Sequence, residues 1–93
     1  MAVSVRIPTI LRTYTDGASE VSVEPVVATL QGVLDALEAA APGIGARVLD
    51  DSGALRRFVN VYVDDDDVRF LDGLATPVGD RTQVSIIPAV AGG

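Results

Sequence analysis

The sequence predicts an α+β fold, one β-sheet with one main helix packed on one of its faces. Two runs of alternating apolar residues come first, then a helical run with one apolar stripe, then two or three further strand runs. No internal repeat, linker or low-complexity block divides the 93 residues, so they read as one domain. Hydrophobic residues make up 48% and charged residues 22%, the composition of a chain that folds.

Val3, Val5 and Ile7 alternate with Ser4 and Arg6, which gives a strand with one buried face that Pro8 ends. Thr15 to Ser19, with Asp16-Gly17 inside, reads as a turn. Val21 and Val23 alternate with Ser22 and Glu24 up to Pro25, so the two strands form an antiparallel hairpin. Thr29 is placed to cap a helix, whose apolar stripe is Leu30, Val33, Leu34 and Leu37. Gly32 weakens that helix by about 0.5–1 kcal/mol relative to Ala, and Pro42-Gly43 stops it. Ile44 to Leu49 adds a short helical turn, and Asp51-Ser52-Gly53 a loop.

Phe58 to Val63 carries the strongest strand signal in the chain. Asp64 to Asp67 reads as an acidic turn and Val68-Arg69-Phe70 as a short return strand. Gln83 to Ile87 is the last strand, ended by Pro88. Val3, Val5, Ile7, Leu30, Val33, Leu34, Leu37, Val59, Val61, Val63, Val84 and Ile86 are the expected core. Residues 1–88 are expected to fold, and 89–93 to form a flexible tail.

Composition removes whole classes of chemistry. The chain has no cysteine and no histidine, and its seven basic residues are all arginine. Thiol catalysis, disulfides, thiolate or histidine metal sites, His-dependent triads and Schiff-base lysines are thereby excluded. A net charge of −6 disfavours nucleic acid and anionic membranes as partners. The first residues have neither a basic region nor an apolar core, so no signal peptide and a cytoplasmic location are expected. Counted from Asp64, the acidic turn has Arg69 and Ala75 where a calcium loop needs Gly and Glu, so it reads as a solvated turn. Gly43-Ile44-Gly45 follows a helix instead of opening one, so it is a helix stop and not a dinucleotide fingerprint. No catalytic, cofactor-binding or metal-ligating residue is expected.

The end of the chain is different. Ala89-Val90-Ala91-Gly92-Gly93 has no charged or hydrogen-bonding side chain. Without a Cβ on Gly92 or Gly93, a terminal carboxylate can enter a channel too narrow for other residues. Joined to AMP, that carboxylate becomes an acyl donor. On residues alone, a frayed glycine-rich terminus explains the same pattern.

The segments Ile7–Arg12, Arg57–Val63, Asp67–Phe70, Gly73–Thr76 and Pro88–Gly93, in this order, resemble the ubiquitin-like MoaD/ThiS sulfur carriers, and within them the branch that serves cysteine synthesis. The resemblance covers nearly the whole chain and implies a β-grasp fold with a mixed sheet. It implies a protein cosubstrate, not an enzyme. An E1-like partner adenylates the Gly93 carboxylate with ATP, and sulfur transfer leaves a thiocarboxylate there. A PLP-dependent cysteine synthase then accepts the sulfur, and a metal-dependent peptidase carrying zinc releases cysteine from Gly93. ATP, PLP and zinc thus belong to partners, and the free carrier is expected to be a monomer. Pro88-Ala89 and Val78-Gly79-Asp80 depart from the Pro-Pro and Asp-Gly-Asp of many relatives, which turns the reading away from the molybdopterin synthase small subunit. A thiamin-pathway carrier is the other alternative within the family. A ubiquitin-like protein modifier or interaction module is the alternative of another class.

Helix on one face leaves the other sheet face open. Alternation puts Phe58 and Tyr62 opposite the valines of their strand and Ile87 opposite Ile86. With Arg6 these form the candidate docking patch. Ala89, Val90, Ala91, Gly92 and Gly93 are the candidate channel-entering tail.

Overall fold

The protein, as a computed structural model, is described over residues 2–88. Five strands form one sheet in the order β2-β1-β5-β3-β4. They are β1 (Val3–Arg6), β2 (Glu20–Val23), β3 (Val59–Val63), β4 (Asp66–Asp67) and β5 (Gln83–Pro88). The β1/β2 hairpin is antiparallel with Val5 facing Val21, and its turn sets Asp16 and Gly17 at φ 54° and 86°. β5 runs between β1, to which it is parallel, and β3, to which it is antiparallel, so the sheet is mixed. Alternation along β1, β3 and β5 turns Val3, Val5, Val59, Val61, Val63, Val84 and Ile86 to one side, where all are buried.

Helix α1 (Leu30–Ala40) covers that side. Thr29 Oγ1 accepts the Gly32 N–H at 3.2 Å, the cap expected of it. Leu30, Val33, Leu34 and Leu37 are buried in the single core with the strand valines. The expected core is therefore buried at every position. Leu11, Val23, Ala41, Ile44, Val48, Val68 and Val78 join it. A second short helix, α2 (Gly45–Val48), contributes Val48, and Ile44 precedes it.

Gly32 is buried for a specific reason. A Cβ on it would lie 2.0 Å from the Val27 carbonyl oxygen, a backbone atom that cannot swing away. The segment before α1 thus lies directly against the helix. Gly32→Ala is expected to destabilise the protein by about 1–3 kcal/mol through overpacking, in spite of the better helix propensity of alanine. Urea unfolding of the variant checks this, and a raised midpoint would contradict the close approach.

The structure adds one element to the sequence reading and corrects another. Thr9–Thr15, which the sequence reading left without an element before the turn at Thr15, forms a 3-10 helix that carries Leu11 into the core. Its i, i+3 spacing over so few residues leaves no clear periodic signal. The return strand is not Val68–Phe70, which forms another 3-10 turn, but Asp66–Asp67, paired with Val63 and Tyr62. Asp67 accepts the Arg69 N–H at 2.8 Å, which offers the backbone a local bond in place of a ladder, and Val68 is fully buried. The acidic turn shrinks to Asp64-Asp65, with Asp64 at φ 56°. Asp64 Oδ1 accepts the Gln83 N–H at 3.1 Å, so this carboxylate serves the backbone.

Glu38 ties α1 to the next turn. Its carboxylate accepts the Gly43 N–H at 2.9 Å and the Gly45 N–H at 2.8 Å. These two bonds, Gly43 first, hold its carboxyl below the usual value. A carboxyl lowered on folding stabilises above its unfolded pKa, and that stabilisation is lost as pH falls through the folded value. Unfolding midpoints should thus drop below about pH 4, and Glu38→Gln should flatten part of that drop. An identical pH profile for the variant would remove Glu38 from this role. Among the described residues no helix is long and apolar enough to cross a membrane.

Candidate functional site

The site to be positioned is the point where β5 ends, because the candidate tail follows Pro88. Ala89, Val90, Ala91, Gly92 and Gly93 lie outside the described residues. The surroundings of the exit are set by the sheet register. On the face away from α1, Arg6 and Tyr62 both flank Ser85, one on each side. Ile87 sits beside Asn60, one step further along β5. Phe58 immediately precedes Val59, which faces Pro88. Arg6, Tyr62 and Ile87 therefore share one face of the sheet, and Phe58 lies just before β3, whose first residue Val59 faces Pro88.

Their exposure differs. Phe58 is 59% exposed and Ile87 47%, while Tyr62 is half-buried and Arg6 exposed. The remainder of this face is polar: Ser4, Ser22, Asn60, Gln83 and Ser85 project from it. Glu20 accepts from Ser4 Oγ at 3.3 Å and from Gln83 Nε2 at 3.4 Å, so the far side of the face is knitted by side-chain bonds. The apolar surface is thus concentrated beside Pro88.

Two arginines shape the exit, and sequence reasoning gave neither a role. Arg69 crosses the start of β3. Its Nη2 donates to the Val59 carbonyl at 2.8 Å and to the Arg56 carbonyl at 3.0 Å, and its Nη1 donates to Asn60 Oδ1. β4 is only two residues long, so this guanidinium satisfies carbonyls that a longer edge strand would have paired. It thereby fixes the segment that presents Phe58. Arg12 Nε donates to the Ile7 carbonyl at 3.1 Å, and Arg12 lines a groove with Arg6, Pro8 and Ile87 at the end of β1 and β5. Arg12 and Arg69 fall within the segments that carry the family resemblance, but single arginines have no spacing that would mark them.

Among the described residues no group of three or more Asp, Glu, His or Cys could hold a metal ion. What the site offers is a small apolar patch and cationic side chains around a chain end.

Comparison with known proteins follows the same lines. The ThiS family profile matches residues 5–93. The sulfur carrier protein CysO of Mycobacterium tuberculosis is 53% identical over 95 residues, covering 100% of both chains. Small archaeal modifier protein 3 of Haloferax volcanii is 42% identical over 66 residues, 71% of each chain. In the crystal structure of the Amycolatopsis orientalis BexX/CysO complex, a chain 48% identical superposes with a TM-score of 0.88, covering 98% of this protein and 99% of that chain. The five-stranded mixed sheet with its helix is the β-grasp, ubiquitin-like fold.

Proposed function

The chain belongs to the ThiS family, and from that membership we infer that it is a sulfur carrier whose Gly93 carboxylate is activated by a partner. What supports the reading is the 53% identity to a sulfur carrier protein along the whole of both chains, together with the Gly92-Gly93 ending of the sequence. In the proposed cycle the Gly93 carboxylate attacks the α-phosphorus of ATP on an E1-like enzyme, and pyrophosphate leaves. A sulfur nucleophile then displaces AMP, and the chain ends in a thiocarboxylate. In cysteine synthesis a partner synthase supplied with PLP would hold the acceptor of that sulfur. The thioester formed at Gly93 would rearrange by an S-to-N acyl shift to an amide, which a zinc-dependent peptidase would hydrolyse to free cysteine. ATP, PLP and zinc are thus needed on partners, and this chain supplies the reacting carboxylate and the surface that delivers it. BexX in the A. orientalis complex supports the expectation of a partner protein.

Delivery explains why a folded body is attached to so short a tail. Ordering five residues in a channel costs roughly 1–2 kcal/mol each in backbone entropy. Side chains no larger than valine return only part of that at about 25 cal/mol per Å². A body that docks first makes tail insertion intramolecular, at raised effective concentration. The patch of Arg6, Phe58, Tyr62 and Ile87 beside the exit is the surface proposed to dock. Tyr62→Asp or Ile87→Asp is expected to weaken binding to the activating or acceptor enzyme about tenfold, about 1.4 kcal/mol. Titration calorimetry with each folded variant checks it, and unchanged affinity for both removes this face from the docking role.

The archaeal modifier among the relatives favours one second reading, a tail joined to amines of other proteins. The absence of lysine bears on it, since this chain has no side-chain amine on which a lysine-linked polymer could grow. Reconstitution with an activating enzyme, ATP and a sulfide source separates the two. A Gly93 thiocarboxylate is expected, and an activated chain captured only by protein amines would favour the modifier.

A further inference from the structure

β2 is an outer strand of the sheet, paired with β1 on one edge and, among the described residues, with no strand on the other. Part of the backbone N–H and C=O groups along Glu20–Val23 therefore points outward, a template for another strand. The edge borders a groove against α1, lined by Val23, Val26, Val27, Ala36 and Ala39. Val26 is 100% exposed and Val27 58%, so branched apolar side chains stand at the groove without cover among the described residues. Ala36 and Ala39 are small, which leaves room between helix and strand.

Charge decides between occupants. The polar residues lining the groove are Ser22, Glu24 and Asp35, with no arginine among them, on a chain of net charge −6. A second copy of this chain would bring together two surfaces that each carry Glu24 and Asp35 and no arginine, on chains that each bear a net charge of −6. Like charge gathered at one interface in this way opposes association. An extended segment of another protein with basic ends meets the opposite sign.

We propose that the β2 edge and the adjoining α1 groove bind an extended segment of a partner protein as a sixth strand, with aliphatic side chains at alternate positions and lysine or arginine at its ends. A four-residue edge spans about 13 Å, so about two side chains of the segment face the groove. β1 and β5 separate this edge from β3, which leaves Phe58, Tyr62 and the exit at Pro88 free. The site therefore stands apart from the sulfur-carrier reading, and the two surfaces can be occupied together.

A terminally blocked peptide, Lys-Thr-Val-Thr-Val-Thr-Arg, titrated into isotope-labelled protein tests the proposal by NMR. Saturable shifts are expected along residues 20–27 and in α1. The same peptide with glutamate at both ends should bind at least tenfold more weakly. Ala39→Arg, at an exposed helical position, should weaken the basic peptide at least tenfold while leaving the resonances of Val59–Val63 in place. Thr13→Arg, which adds the same charge elsewhere, should leave affinity unchanged. Absence of saturable shifts, shifts centred on Tyr62 and Ile87, or equal affinity for the acidic peptide would overturn it. So would a dimer seen by light scattering that Ala39→Arg dissociates.

Discussion

Deletion of Gly93 will abolish acceptance of sulfur while leaving the fold intact. The proposed chemistry takes place at one carboxylate, and the residue that bears it lies beyond the last strand, Gln83–Pro88. Removing one residue shortens the reach of the tail by about 3.3–3.6 Å and sets a carboxylate on Gly92. A displacement of about 1 Å from the reacting geometry already costs on the order of a hundredfold in rate. A chain extended beyond Gly93 fails for a different reason, since its carboxylate is then an internal amide. Thiocarboxylate formation measured by mass, alongside circular dichroism and unfolding curves, gives both halves of the result. A truncated chain that still accepted sulfur would contradict the mechanism.

Leu34→Ala will cost about 2–5 kcal/mol of stability. Leu34 is 3% exposed on the face of α1 that packs on the sheet valines, and its loss leaves a cavity in that core. A 93-residue domain without disulfides has a modest margin, so this change alone brings it close to unfolding at physiological temperature. Denaturant unfolding reads the loss directly. A change below about half a kcal/mol would mean that this face of the helix is not the one that carries the core.

These effects were legible in the sequence because period decides burial. Alternation marked Val3, Val5, Val59, Val61 and Val63, and the helical stripe marked Leu30, Val33, Leu34 and Leu37, and all are buried. Thr29 could be read as a cap because its hydroxyl stands just before the stripe. Where structure depends on a contact far along the chain, no such period exists. Leu11 reaches the core from a 3-10 helix, and Val68 from a turn that Asp67 bends away from the ladder. Gly32 is a cost to the helix by propensity alone, and the Val27 carbonyl against it is a contact that propensity does not see. The location of the candidate patch followed from alternation, since Tyr62 and Ile87 oppose buried neighbours. Arg69 was out of reach, because its role depends on β4 being too short to pair the carbonyls near Phe58.

Intact-mass spectrometry of the protein isolated from its native host tests the central claim most directly. Sulfur carriage predicts a fraction of chains in which one oxygen at Gly93 is replaced by sulfur, and the cysteine-synthesis branch predicts a further fraction carrying one added cysteine there. A population bearing only an unmodified Gly93, or Gly93 joined solely to lysines of other proteins, would contradict it.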